Sequence, residues 1–134
     1  MSDSQVLRAL QRGVTAAVAA SDMPSLPVKY IETDFSAPDD GKWLELIFIP
    51  NNSNDFRGDE VNFRGILRLV LHWPNNGGGP YSPIETIESI VEYFPNGRVL
   101  SGVQISAKPT LTNIIPQGDE TLYPVSLRYQ SYRR

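Results

Sequence analysis

His72 is the single histidine of the chain. It stands where Leu67, Leu69, Leu71 and Trp73 alternate with Arg68, Val70 and His72. A histidine acting as general base needs a nucleophile within reach and a carboxylate to orient it. No Gly-x-Ser-x-Gly elbow or similar arrangement accompanies this one. The pattern therefore predicts a histidine on the polar face of a strand. Gly77-Gly78-Gly79 lies between a strand pattern and a helix pattern, where phosphate loops sit. A phosphate loop places Lys and Ser/Thr after its last glycine, but Pro80 and Tyr81 follow here, and proline removes an N–H that a phosphate cradle would use. A flexible connector is the expectation. Asn51 to Glu60 is rich in oxygen ligands. Counted from Asn51, however, the sixth residue is Phe56 and the twelfth is Asn62, where a calcium loop requires glycine and glutamate. Asp39, Asp40, Asp55, Asp59 and Glu60 supply carboxylates. Glycoside chemistry needs such groups opposed across a cleft, and two of these are neighbours in a turn. Cysteine is absent, which removes disulfides, thiol catalysis and cysteine-held zinc. No catalytic residue, metal site or cofactor is expected.

The elements that must position these residues follow from periodicity. Val6, Leu7, Leu10, Val14, Ala17 and Val18 recur at spacings of three and four, predicting a helix over 2–20. Ser2 or Ser4 can cap it. Gly13 inside the pattern costs about 1 kcal/mol against alanine, so the apolar stripe must pack on something. Residues 21–27 form a proline-punctuated connector. Short strands are expected at 27–33 and 43–49, the second with apolar residues on both faces and hence central in its sheet. Residues 51–62 predict a polar loop, long for a hairpin. Residues 63–73 are the clearest strand. Ser82 as N-cap, Pro83 and Glu85 predict a capping box opening a second helix, whose apolar face is Ile84, Ile87, Val91 and Phe94. Extended pieces at 98–100, 103–109 and 122–132 complete the order α-β-β-β-α-β-β-β. Residues 110–121 form a further strand or a loop. The expectation is an α+β domain over residues 1–134, with a mostly antiparallel sheet and two amphipathic helices on one face.

The chain has 134 residues, of which 40% are hydrophobic and 20% charged, with a net charge of −3. That is enough for one core and the wrong sign for a duplex-binding module; no nucleic acid specificity is expected. No apolar run approaches the roughly 20 residues of a membrane span, and the N-terminus lacks the pattern of a signal peptide. These features predict a soluble, intracellular chain that does not engage membranes. Charge is unevenly spread. Residues 32–60 hold eight acids and two bases; residues 98–134 hold five bases and two acids. Unlike patches on neighbouring copies make a head-to-tail interface, which closes into a ring when the rotation permits. The same segments can instead be neighbours that neutralise each other within one subunit.

Four tracts carry a resemblance. They are Trp43-Leu44-Glu45-Leu46-Ile47-Phe48-Ile49-Pro50-Asn51, Arg64-Gly65-Ile66-Leu67-Arg68-Leu69-Val70-Leu71, the helix ending Tyr93-Phe94-Pro95-Asn96-Gly97, and Tyr123-Pro124-Val125-Ser126-Leu127-Arg128-Tyr129. Together they resemble the tail-terminator-like proteins of tailed bacteriophages and prophages, a phage domain family of unknown function, over residues 5–132. The resemblance implies an α+β subunit of a hexameric ring that caps the tail tube and stops its polymerisation. It also implies a surface for head-completion or connector proteins, a place in the virion tail after assembly in the host cytoplasm, and no cofactor. It carries no interface motif. From charge and aromatic content alone, the partner-interface candidates are Asp39, Asp40, Asp55, Phe56, Arg57, Asp59, Glu60, Tyr81, Arg128, Arg133 and Arg134. The alternatives are a head–tail connector, an assembly chaperone, or a small-molecule-binding domain or enzyme built on His72 and the glycine loop.

Overall fold

Two long strands organise the molecule. In a computed structural model, which describes residues 2–51, 53–54, 61–76 and 78–132, β4 (Val61–Pro74) and β9 (Glu120–Tyr132) pair antiparallel from Asn62↔Tyr132 to Pro74↔Glu120. Their alternating leucines, valines and aromatics suit a pleated, half-buried surface. β2 (Trp43–Pro50) lies antiparallel on the other side of β4. β1 (Val28–Lys29) adds to β2 in parallel. β5 (Val99–Leu100) and β6 (Val103–Ile105) extend the β9 side, giving the order β1-β2-β4-β9-β6-β5. β7 (Thr110–Leu111) and β8 (Ile115–Gln117) continue along the β9 edge that β6 begins. β3 (Ser53–Asn54) folds back onto the start of β4.

Helix α1 (Asp3–Ala19) begins with a capping box. The Ser2 hydroxyl accepts from the Gln5 N–H at 3.3 Å, and Gln5 Oε1 accepts from the Ser2 N–H at 2.8 Å. Its buried face includes Val6, Leu10, Val14, Ala17 and Val18, close to the expected stripe. Gly13 lets this helix lie against its neighbours: a Cβ there would stand 3.0 Å from Leu100 Cδ1 and 3.2 Å from Phe94 Cε1. Helix α2 (Tyr81–Val91) crosses the same face and buries Pro83, Thr86, Ile87 and Ile90. The core between helices and sheet contains Leu10, Leu67, Leu69, Phe94, Leu127 and Tyr129, each at most 1% exposed. Each such side chain contributes about 1.5–3 kcal/mol by leaving water.

The α+β order stands, with β3, β7 and β8 as additions too short to show a period. Four local expectations are corrected. The strand expected over 27–33 is only Val28–Lys29, because the chain turns at residues 31–32, where Glu32 takes a positive φ of 54°. β2 is not covered on both faces: Leu44 and Leu46 are buried, but Ile47 is 38% and Ile49 39% exposed. Its position is second in the sheet, with only two residues of β1 outside it. The polar stretch after β2 contains the β3 bridge. The capping box at Ser82 does not form. α2 starts two residues earlier, at Tyr81, with Pro80 as a cap that offers no side-chain hydrogen bond. Pro83 then sits in the first turn, where its missing N–H costs nothing because no helical acceptor precedes it.

Gly65 is required by space. A Cβ there would meet the Ile49 carbonyl oxygen at 2.4 Å, Tyr129 Oη at 2.7 Å and Pro50 Cα at 2.9 Å. Tyr129 lies beneath this point, ring-stacked on Phe48 at 5.9 Å, and its buried hydroxyl has no hydrogen-bond partner among the described residues. Burial, aided by the Asp3 carboxylate, pushes its pKa up to about 12.

Candidate functional site

Both helices pack on one face of the sheet, so the side chains that alternate away from the core form an outer face that no helix covers among the described residues. β4 contributes Arg64, Ile66, Arg68, Val70 and His72 to that face, by the two-residue period that sends Leu67, Leu69 and Leu71 inward. β2 contributes Glu45, Ile47 and Ile49; β9 contributes Leu122, Ser126 and Arg128. The register sets these side by side. Ile49, Ile66 and Arg128 form one row across the strands, and Ile47, Arg68 and Ser126 the next.

The two ends of this face differ in chemistry. At the Pro74 end, His72 is only 6% exposed. Its ring stacks on Trp43, with centroids 3.6 Å apart and planes 8° from parallel. Nε2 lies 2.9 Å from Glu45 Oε1, and Nδ1 lies 2.9 Å from Glu120 Oε1. A carboxylate only accepts, so each contact is a hydrogen bond only while that nitrogen carries a proton. Lys29 Nζ approaches the other oxygen of Glu45 at 4.0 Å. His72 lies on the outer, polar face of β4 as expected; aromatic stacking removes it from water, and the two carboxylates link β2, β4 and β9 through it. No group of three or more His, Cys, Asp or Glu among the described residues is arranged to hold a metal.

At the other end the face is basic. A groove of about 580 Å³ runs across it, lined by Ile49, Arg64, Ile66, Arg128 and Gln130 among others, with no carboxylate among the described residues that line it. No carboxylate lies within 4 Å of Arg68 or Arg128 among the described residues, and Arg68 Nε is buried without an acceptor.

The candidates from the sequence are scattered. Arg128 belongs to the basic end. Asp39 and Asp40 are exposed in the turn before β2, where the Gly41 N–H donates to the Pro38 carbonyl at 3.0 Å and Asp40 Oδ1 accepts from the Lys42 N–H at 3.0 Å. Gly41 packs on Pro74, so this acidic turn stands at the far end of the sheet. Tyr81 opens α2 and is 77% exposed. Asp55, Phe56, Arg57, Asp59, Glu60, Arg133 and Arg134 lie outside the described residues. Arg98, counted with the basic segment, is engaged locally: its guanidinium donates to the Tyr93 carbonyl at 3.0 Å and covers that ring at 3.9 Å. Ile47, Ile49, Arg64 and Arg68 were missed as site residues. The alternation of 63–73 places Arg64 and Arg68 outward, but only the β4–β9 register joins them to Arg128.

Comparison with known proteins adds to this geometry. The family model described as "Phage tail terminator protein" matches residues 5–129. This chain belongs to the phage tail terminator family. Membership implies a structural role, a location in the virion tail, and contacts with tail and head proteins. A solved structure bearing no functional name is similar to this tail terminator chain, with a TM-score of 0.79 at 23% identity, over 98% of this chain and 96% of the other; it shows the fold. A comparison with curated proteins finds no match. No helix among the described residues is long and apolar enough to cross a membrane.

Proposed function

We propose that this chain forms a ring, a hexamer by resemblance to its family, that caps the tail tube, stops its polymerisation and presents a surface to head-completion proteins, without catalysing a reaction. Besides family membership, the observation that carries this reading is the segregation of charge between the two ends of the sheet. The acidic turn and the arginine groove sit at opposite ends of one sheet, so they do not neutralise each other within a subunit. Unlike patches at separate places make a heterologous contact, the kind that generates rings. The exposed Tyr81 and the loop 74–80 leading to it are suited to contacts with tube or head proteins, since aromatics anchor interfaces.

Light scattering on the purified chain across concentration and salt tests this. Rings are expected at low salt and high concentration, and they loosen as salt rises to about 0.5 M, where the screening length falls below about 5 Å. Rings indifferent to salt would point to an apolar interface. A strict monomer that also fails to bind tube protein would overturn the reading. Co-purification with portal or connector proteins, and not with tube protein, would move it to a connector role.

A further inference from the structure

We propose that the arginine end of the outer sheet face, centred on Arg68 and Arg128, receives the acidic loop at residues 32–40 of a second copy of this chain. The inference rests on the ring reading above and names the two surfaces that meet.

Three observations carry it. The first is composition. The rows Ile49–Ile66–Arg128 and Ile47–Arg68–Ser126 set guanidinium groups among part-exposed isoleucines. Arginine with apolar neighbours is the composition of interface centres, whereas a nucleic-acid face is polar and strongly basic throughout. The second is unmet electrostatics on both surfaces. Arg68 and Arg128 have no carboxylate partner among the described residues, and Arg68 Nε has lost water without gaining an acceptor. Glu32, Asp34, Asp39 and Asp40 are all exposed, form no ion pair among the described residues, and have no base between them. Guanidinium and carboxylate match in shape as well as charge, because two parallel N–H···O bonds can form.

The third observation is distance. The acidic turn packs at Pro74 through Gly41. Arg68 is six residues back along β4, and Arg128 pairs with Ile66, eight residues back. At about 3.3 Å per residue the Asp39–Asp40 turn is about 20–26 Å from these arginines. The screening length at physiological salt is about 8 Å. The Asp39–Asp40 turn cannot satisfy these arginines within one subunit, and each copy offers one of each kind. That is the arrangement a head-to-tail ring needs.

Charge reversal tests the pairing, with thermal melts to confirm folding. Arg128→Glu should raise the concentration at which rings half-form at least tenfold, and the double variant Asp39→Lys, Asp40→Lys should do the same. Each reversed variant repels itself, but the two complement each other. An equimolar mixture should therefore recover rings near the wild-type midpoint, with the two proteins alternating. Should Arg128→Glu fail to fold, Arg128→Gln takes its place with a smaller shift of at least threefold, and the mixing arm runs with the acidic-loop variant and a folded Arg68→Glu. Rings that survive both reversals unchanged would overturn the inference while leaving the ring reading intact. Rings lost in each variant but not recovered on mixing would also overturn it, as would duplex DNA binding that Arg128→Glu abolishes while rings persist. A wild-type chain that stays monomeric at every concentration, even beside tube protein, removes the ring reading on which this inference rests.

Discussion

Gly65→Ala is expected to destabilise the protein by about 3 kcal/mol or more, one of the largest single-methyl effects available in this chain. The new Cβ would stand 2.4 Å from the Ile49 carbonyl oxygen and 2.9 Å from Pro50 Cα. Both are backbone atoms of β2, so no rotamer change relieves the clash. Overpacking usually costs about 1–3 kcal/mol, and here relief requires β2 to separate from β4 at the end of their ladder, where Pro50 pairs with Gly65. For a chain of this size the melting temperature should fall by about 10 °C. The third clash, with Tyr129 Oη at 2.7 Å, supplies a control. Tyr129→Phe alone removes a buried hydroxyl that has no partner among the described residues, so it should leave stability unchanged or raise it by about 1 kcal/mol. It should not rescue Gly65→Ala, because the backbone contacts remain. Tyr129 also sets an alkaline signature. Its folded pKa of about 12 lies above the ordinary tyrosine value of 10.0, so the folded state holds the proton more tightly. The corresponding stability is fully present below pH 10 and is lost as pH climbs towards 12; the phenylalanine variant should show a flatter loss there. A Gly65→Ala protein that melts with the wild type would show that β2 and β4 do not approach as described.

His72→Ala is the second large effect, about 2–4 kcal/mol. The substitution removes the stack on Trp43 and the contacts of both ring nitrogens, and leaves Glu45 and Glu120 facing a vacated space. Hydrogen bonds to charged groups contribute about 1.5–3 kcal/mol each. Glu45 and Glu120 are part-exposed, so water recovers some of that loss. His72→Phe keeps the stack without the bonds and should fall between alanine and wild type in denaturant midpoint. It should also retain tail assembly, since the histidine's contacts join three strands. A His72→Phe protein as stable as wild type but inactive in assembly would assign the side chain a chemical role instead.

The comparison of sequence with structure divides along physical lines. The face of α1 and the course of β4 were legible because their patterns run for many residues at one period. What escaped was set by non-local pairing. The outward alternation of Arg64 and Arg68 is written in residues 63–73, but their meeting with Arg128 depends on a register between strands some sixty residues apart. The burial of His72 depends on Trp43 and on Glu45 and Glu120 arriving from two other strands. The start of α2 was misplaced because Ser82, Pro83 and Glu85 satisfy a local capping rule that the packing of the chain did not use.

The central claim is that this chain works by contact, ending the tail tube and offering it to the head. Tail length and infectivity in a phage lysate lacking this one protein test it most directly. Electron micrographs should show tails of uncontrolled length, unattached to heads, with infectivity lost and restored when the protein is supplied. Tails of normal length joined to heads in fully infectious particles would contradict it.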